Sequence, residues 1–448
     1  MPTDVVAPPA PAQRWSSSLW ADVVALAAAL GAFAAVTAVG VALERAGRGV
    51  LAGQGPLYAA LLPHVGPGTP AALAVAIAVV AWGPQAAQRW RWPRVLVVTY
   101  LTAVTWTFSL ALVDGWWWFT SRLISGGHEY LSEVDGVGSL GTLLAGFTDR
   151  IAAGRPDTWA THVAGHPPGA FLVFIGLDRV GLGGGAAASV ACVLVGALAA
   201  VAVPVTLRAL GDEPAARAIT PVTALFPGAV WVGASADGLF AGVTACGIAL
   251  LAVACSGRGG RHDAAALAGG LVLGYGLYLS YGLTLLALPV LAVALVSRRV
   301  RPLVLGAVGV GAVVVAFTAA GFWWFEGYSE LVVRYHAGIA ADRPYAFWVI
   351  ANLACLLAVT GPLVLRAAPA ALRHWRTPAA ALFLAAAAAV LAADASGLSK
   401  AETERIWLPF AVWLLAGAAL LPPRSRRFAL AAGAVVALAV NHLLLTAW

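Results

Sequence analysis

A polar stretch of about seventy residues, far longer than a simple connector, separates two apolar runs. It opens with Asp114-Gly115-Trp116-Trp117-Trp118 and closes with His166-Pro167-Pro168-Gly169. Acids at the mouth of an apolar run tend to mark chemistry. Partial burial could tune Asp114 to take a proton from a hydroxyl. It could equally be an interfacial acid beside an aromatic belt, where tryptophan is enriched. Trp117 and its neighbours could stack on a sugar ring or anchor helices at a membrane boundary.

Each proline after His166 locks φ, and the residue before a proline is pushed toward extended geometry, so His166 is held rigidly where a helix begins. The same stretch carries His128-Glu129, Glu133 and Asp135, and His162 lies four residues before His166. That spacing suits a metal pair on a helix, but the prolines interrupt it and no ligand cluster completes a zinc site. No structural metal is expected, although a divalent cation, Mg or Mn, bound loosely between Asp114 and a substrate phosphate fits the residue types. Arg334, His336 and Arg343, with Lys400 (the chain's single lysine) and Arg405, form a second set. Together they could neutralise a phosphate or pyrophosphate. Taken singly, each is as well explained by pairing with Asp342, Glu402 or Glu404. Asp237, in Ser235-Ala236-Asp237-Gly238, reads first as part of a helix N-cap and second as a substrate contact.

The elements that must position these groups are set by composition. Of 448 residues, 61% are hydrophobic and 10% charged, more apolar surface than a soluble domain of this length can bury. The fold class is therefore all-α and polytopic, with about thirteen apolar runs near membrane-spanning length. The later runs fall near 218–232, 239–254, 264–280, 281–296, 303–321, 347–365, 378–392, 406–421 and 428–446; several of the runs are short or rich in Gly and Pro, and a weaker run at 50–65 reads as an interfacial or re-entrant helix. The net charge of +7 comes from arginines scattered between runs, which sets orientation and gives no nucleic-acid signature. With the N-terminus inside, arginines gather on the inner side and acids on the outer side. Outer loops are then 114–183, 322–346 and 393–405, with 169–180 an amphipathic helix in the interface plane. Residues 1–18 are expected to be disordered and cytoplasmic, and 19–448 to form one transmembrane domain. The four cysteines (Cys192, Cys246, Cys255, Cys355) lie in apolar runs without metal-ligand spacing and read as inert thiols.

Three features in chain order resemble the C-type (GT-C) glycosyltransferase superfamily. They are an acid opening the first large outer loop (Asp114), His166-Pro167-Pro168-Gly169 ahead of the next run, and Glu402-Thr403-Glu404-Arg405-Ile406-Trp407 at a late run's entrance. The style is closest to protein O-mannosyltransferases, bacterial aminoarabinose transferases and related actinobacterial sugar transferases, mannosyl or arabinosyl. The resemblance implies a multi-pass enzyme of a bacterial plasma membrane, working in the cell envelope with its site on the outer face. Such an enzyme moves a sugar, with inversion, from a polyprenyl-phosphate donor to a lipid, glycan or protein hydroxyl. Asp114 would be the base, with Glu129, Glu133 and Asp135 as rivals. Arg405, Lys400, Arg334 and Arg343 would hold the donor phosphate. His166, Glu129, His336, Glu404, Trp117 and Asp237 would line the substrate. The rival class is a multi-pass transporter or lipid-linked-sugar flippase, for which internal repeats and mid-span charges would be expected.

Overall fold

The computed structural model describes residues 11–52 and 55–446, with side chains from Leu19 onward. The first ten residues of the expected disordered N-terminus lie outside the described residues, and the first helix starts at Pro11 and runs to Arg45. Among the described residues seven helices are long and apolar enough to cross a membrane: Leu19–Arg45, Thr69–Arg89, Trp92–Ala111, Gly185–Ala209, Ala236–Cys255, Val300–Ala319 and Pro378–Ala395. An eighth is added if Tyr345–Thr360 and Leu363–Arg373, bent by 97° at Gly361-Pro362, count as one span. The chain is a polytopic all-α membrane fold.

The expected count of about thirteen spans is not met among the described residues, and the differences have local causes. The 218–232 run breaks where Phe226-Pro227 ends the helix Glu213–Ala224 and a 3-10 turn, Pro227–Trp231, follows. The 281–296 run is a 3-10 segment, Tyr281–Leu286, leading into the short helix Ala287–Ser297. The 406–421 run is likewise Leu408–Leu414 followed by a 3-10 stretch. Apolarity alone does not distinguish these folded-back pieces from spans, because both are built from the same apolar residue types.

Residues 50–65 correct the expected interfacial helix. Among the described residues of this segment none is helical: 55–58 turn, and Ala59–Leu61 pairs antiparallel with Leu444–Thr446, Ala59 opposite Thr446. The ladder continues as Leu62 N–H donates to the Leu443 carbonyl and His64 N–H to the His442 carbonyl. The segment 114–183 is a chain of short helices ending in Pro168–Arg179. That last helix packs Phe171, Phe174 and Ile175 into the core, so its apolar face meets protein.

The core is aromatic, with Trp231, Trp407, Trp413, Phe240 and Tyr278 fully buried. Lipid-facing helices behave differently. Val304, Val308 and Val315 of Val300–Ala319 stay exposed, while Gly306 and Gly309 lie directly against the backbone of residues 266–271. Small residues at such a crossing let two helices approach closely where no hydrophobic effect drives them together.

Candidate functional site

Thr69 at the start of one long helix touches His442 near the end of another, with Oγ1 2.9 Å from Nε2. This contact marks the end of the bundle at which Asp114 lies. Asp114 follows the helix Trp92–Ala111 and is mostly buried. Its Oδ1 is 2.6 Å from His64 Nε2. His64 Nδ1 is 2.6 Å from the Leu62 carbonyl. A carbonyl only accepts, so Nδ1 carries a hydrogen, and one proton is shared between Nε2 and the carboxylate. Burial raises the Asp114 pKa, against the opposing pull of His64, Arg122 and His442. The pair is a proton-sharing dyad at the mouth of a span.

The loop holding His64 has no spare room. A Cβ on Gly66 would lie 1.8 Å from the Val113 carbonyl oxygen. Gly66→Ala should therefore force the loop off the helix end and separate His64 from Asp114. The expected stability loss is about 1–3 kcal/mol, as for overpacked sites generally. Thermal unfolding of the solubilised protein checks it, and an unchanged melting temperature would mean the loop is not seated this way.

Arg122 lies next in the sequence of charges. It stacks over Trp118 at 3.9 Å, donates to the Thr446 carbonyl, and lines a small cavity with Asp114 and Asn441. Its Nε has no hydrogen-bond partner among the described residues. Burial lowers its pKa to about 10, with Asp114 and Glu129 pulling it back up, so the guanidinium stays charged at neutral pH. Glu129 is buried beside His162, 3.4 Å away. Burial pushes its carboxyl up to about 7 despite the nearby Arg405.

Arg405 is the hub of the second half of the site. Nη1 is 2.6 Å from Asp237 Oδ2 and Nη2 2.5 Å from Glu402 Oε2. Burial alone would lower its pKa, but Asp237, Glu402 and Glu129 outweigh it and hold the group cationic. Asp237 sits in the first turn of Ala236–Cys255, its N–H capped by Ser235. The carboxylate is thus fixed by the cap and by the arginine together. Ala401 and Glu402 both have left-handed backbone, φ 69° and 61°, a conformation that costs about 1–2 kcal/mol for each non-glycine residue. Glu402 also meets Arg343 at 3.5 Å, so two ion pairs hold the strained turn. Strain of this kind persists only where surroundings over-determine it, and it clusters at functional sites.

Several sequence-predicted residues meet here. Glu129, Asp237, Arg405 and Arg343 share one buried network. His166 joins it beside Phe240 and Tyr130, with Nδ1 2.8 Å from both the Tyr130 hydroxyl and the His162 carbonyl. Asp114 is linked to that network only through space, since its charge and that of Glu129 both act on Arg122. Lys400 stands one step back, its Nζ donating to the Ala340 and Arg343 carbonyls.

Others lie apart. Arg334 pins the first large loop by donating to the Ile151 and Trp159 carbonyls and the Thr158 hydroxyl. His336 is exposed on the same helix. Trp117 is 70% exposed, pointing outward as an interface anchor would. Glu404 is fully buried away from Arg405 and accepts from Tyr58 N–H at 3.2 Å. Burial raises its pKa to about 7. Among the described residues no three His, Cys, Asp or Glu side chains converge as metal ligands. His64, Arg122 and His442 did not stand out in the sequence. His64 reaches the site only through a two-stranded ladder between segments almost four hundred residues apart, whose sole local signal is the β-branched-poor pair Ala59–Leu61 and Leu444–Thr446.

No family model matches the chain, and no curated protein matches it. Among solved structures it is similar to ArnT from Cupriavidus metallidurans. The apo form has 21% identity and a TM-score of 0.41 over 71% of this chain and 60% of ArnT. The form bound to undecaprenyl phosphate has 20% identity and a TM-score of 0.41 over the same shares. It is also similar to the Archaeoglobus fulgidus oligosaccharyltransferase in complex with Zn and sulfate, with 16% identity and a TM-score of 0.44 over 78% of this chain and 53% of that one. The chain thus spans about 60% of ArnT and about half of the oligosaccharyltransferase.

Proposed function

We propose that this protein is a membrane glycosyltransferase of GT-C type, moving a sugar from a polyprenyl-phosphate donor to an acceptor hydroxyl at the Asp114 end of the bundle. The observation that carries the reading is the juxtaposition of a proton-sharing His64–Asp114 dyad with Arg122, a partly buried cation whose buried Nε has no partner among the described residues. A base and a phosphate-neutralising cation are the two groups that such a displacement needs.

In the proposed reaction Asp114 accepts the hydroxyl proton as the acceptor oxygen attacks the anomeric carbon. The bond from that carbon to the phosphate oxygen breaks with inversion, and the electron pair leaves on the polyprenyl phosphate. Negative charge grows on that phosphate, where preorganised cations act most strongly. Arg122 is the nearest of them to Asp114 in the charge network. Arg405, held between two carboxylates, and Arg343 provide the field behind it, and Lys400 braces the turn carrying Arg343. Glu129 and His166 line the substrate side, with Asp237 fixing Arg405. Arg334 positions the loop. A divalent cation, if used, would be held by Asp114 and would supply positive charge to the departing phosphate; slowing of transfer by a chelator checks its involvement.

The direct test supplies membranes containing the protein with a radiolabelled polyprenyl-phosphate sugar. The expected result is label on a new acceptor in inverted linkage, with free polyprenyl phosphate released in equal amount. Movement of intact lipid-linked sugar across a vesicle wall, with no glycosidic bond broken, would replace the transferase by a flippase.

A further inference from the structure

The end of the bundle opposite Asp114 carries a second, cationic cleft. The helix Thr69–Arg89 leaves the site at Thr69 and reaches Arg89 about 31 Å away at 1.5 Å per residue. The helix Pro423–Leu443 runs the opposite way, so Pro423 lies at that far end. Between them, a cleft of about 200 Å³ is lined by Gln88, Arg217, Pro221, Arg426 and Arg427. It abuts, through the shared Pro221, a cleft of about 260 Å³ lined by apolar span residues including Val79, Trp82 and Val98.

Of the guanidiniums at this junction, those of Arg426 and Arg427 are fixed by backbone rather than by acids. Arg217 donates to the Ala87 and Trp90 carbonyls and pairs with Glu213, the one carboxylate in contact with the set among the described residues. Arg426 donates through Nε to Ala418 and through Nη2 to Leu421. Arg427 donates through Nη2 to Ala81. Carbonyl caps hold these heads in place without neutralising them. Nη1 of Arg426, and Nε and Nη1 of Arg427, have no protein partner among the described residues. The first turn of Pro423–Leu443, the positive end of a helix dipole, opens on the same cleft.

A fixed positive rim joined to an apolar, lipid-side groove matches one ligand chemistry in both parts. We propose that this junction binds an anionic phospholipid, its phosphate at Arg426, Arg427 and Gln88 and an acyl chain along Trp82 and Val98. Basic pockets between helices at a membrane surface recognise anionic headgroups in this way. The site is separate from the proposed sugar-transfer chemistry and stands whether or not that reading does.

The test is native mass spectrometry of the full chain in detergent with equal amounts of dioleoyl phosphatidylglycerol and dioleoyl phosphatidylcholine. The anionic lipid should be retained at least about fivefold over the zwitterionic one. Arg427→Gln and Gln88→Glu, both at exposed positions, should each reduce that preference about fivefold, on the scale of one surface charge. Arg258→Gln, exposed in the loop after Ala236–Cys255 and outside the cleft, should leave it unchanged. Equal retention of the two lipids overturns the proposal. So does an equal loss in Arg258→Gln, which would mean diffuse surface charge. Displacement of phosphatidylglycerol by millimolar inorganic phosphate alone would reassign the cleft to a free anion.

Discussion

Asp114→Asn should lower sugar transfer by about 10²–10⁴, the usual contribution of a positioned general base, with little loss of folded protein. The amide keeps the shape of the carboxylate, and its NH2 can donate to His64 Nε2 while Nδ1–H stays on the Leu62 carbonyl, so the contact need not break. What disappears is the capacity to take up a proton. The pH dependence follows from the same geometry. Burial raises the Asp114 pKa while His64 holds it down, so the base form accumulates as pH rises and transfer falls as pH falls through the dyad's pKa. Removing the histidine in His64→Gln takes away a lowering influence and leaves the burial. The acid limb of the rate profile should then move to higher pH, with a smaller drop at the plateau than in Asp114→Asn. Wild-type transfer by well-folded Asp114→Asn protein would remove Asp114 from the role, and Glu129 would be the next acid to replace.

The helical, polytopic class was legible because apolar composition at this level leaves no other architecture. The number of spans was not. A run such as 406–421 is as apolar as a span, yet Leu408–Leu420 bends into a 3-10 stretch inside the protein. What distinguishes the two is the surrounding packing, which a hydropathy pattern does not contain. The 50–65 segment failed for a related reason. Its backbone is satisfied by Leu444–Thr446, a partner at the other end of the chain, so local preference had little to say.

The second half of the site was more readable than the first. Glu402, Arg405 and Asp237 stood out because charged residues at the ends of apolar runs are few, and a scarce arginine must find scarce acids when buried. The residues around Asp114 were hidden in ordinary settings. His64 lies in a Pro/Gly-rich turn, Arg122 follows a tryptophan cluster that already had an interfacial explanation, and His442 ends an alanine-rich helix. Arg334 misled in the opposite direction. Its charge and neighbourhood suggested a ligand contact, whereas three neutral acceptors of the first large loop take its hydrogen bonds.

Arg405→Gln should destabilise the protein by about 3–5 kcal/mol, the range for removing one partner of a buried ion pair. The variant leaves Asp237 and Glu402 close together in the interior with no cation between them. Glu402 keeps only its longer contact with Arg343, 3.5 Å, and the left-handed turn at Ala401–Glu402 loses one of its two ties. Stability and catalysis are separable here by neutralising the acids as well. The triple variant Arg405→Gln, Asp237→Asn, Glu402→Gln removes the two facing acids and leaves Arg343 on its Lys400 and Leu51 carbonyl contacts, and its amides can hydrogen-bond one another, so a large part of the lost stability should return in denaturant unfolding. Transfer should not return, because the field that Arg405 lends to the departing phosphate is still missing. A triple variant that regains both would make Arg405 a structural cation only, and the stabilisation of the leaving group would then fall to Arg122 alone.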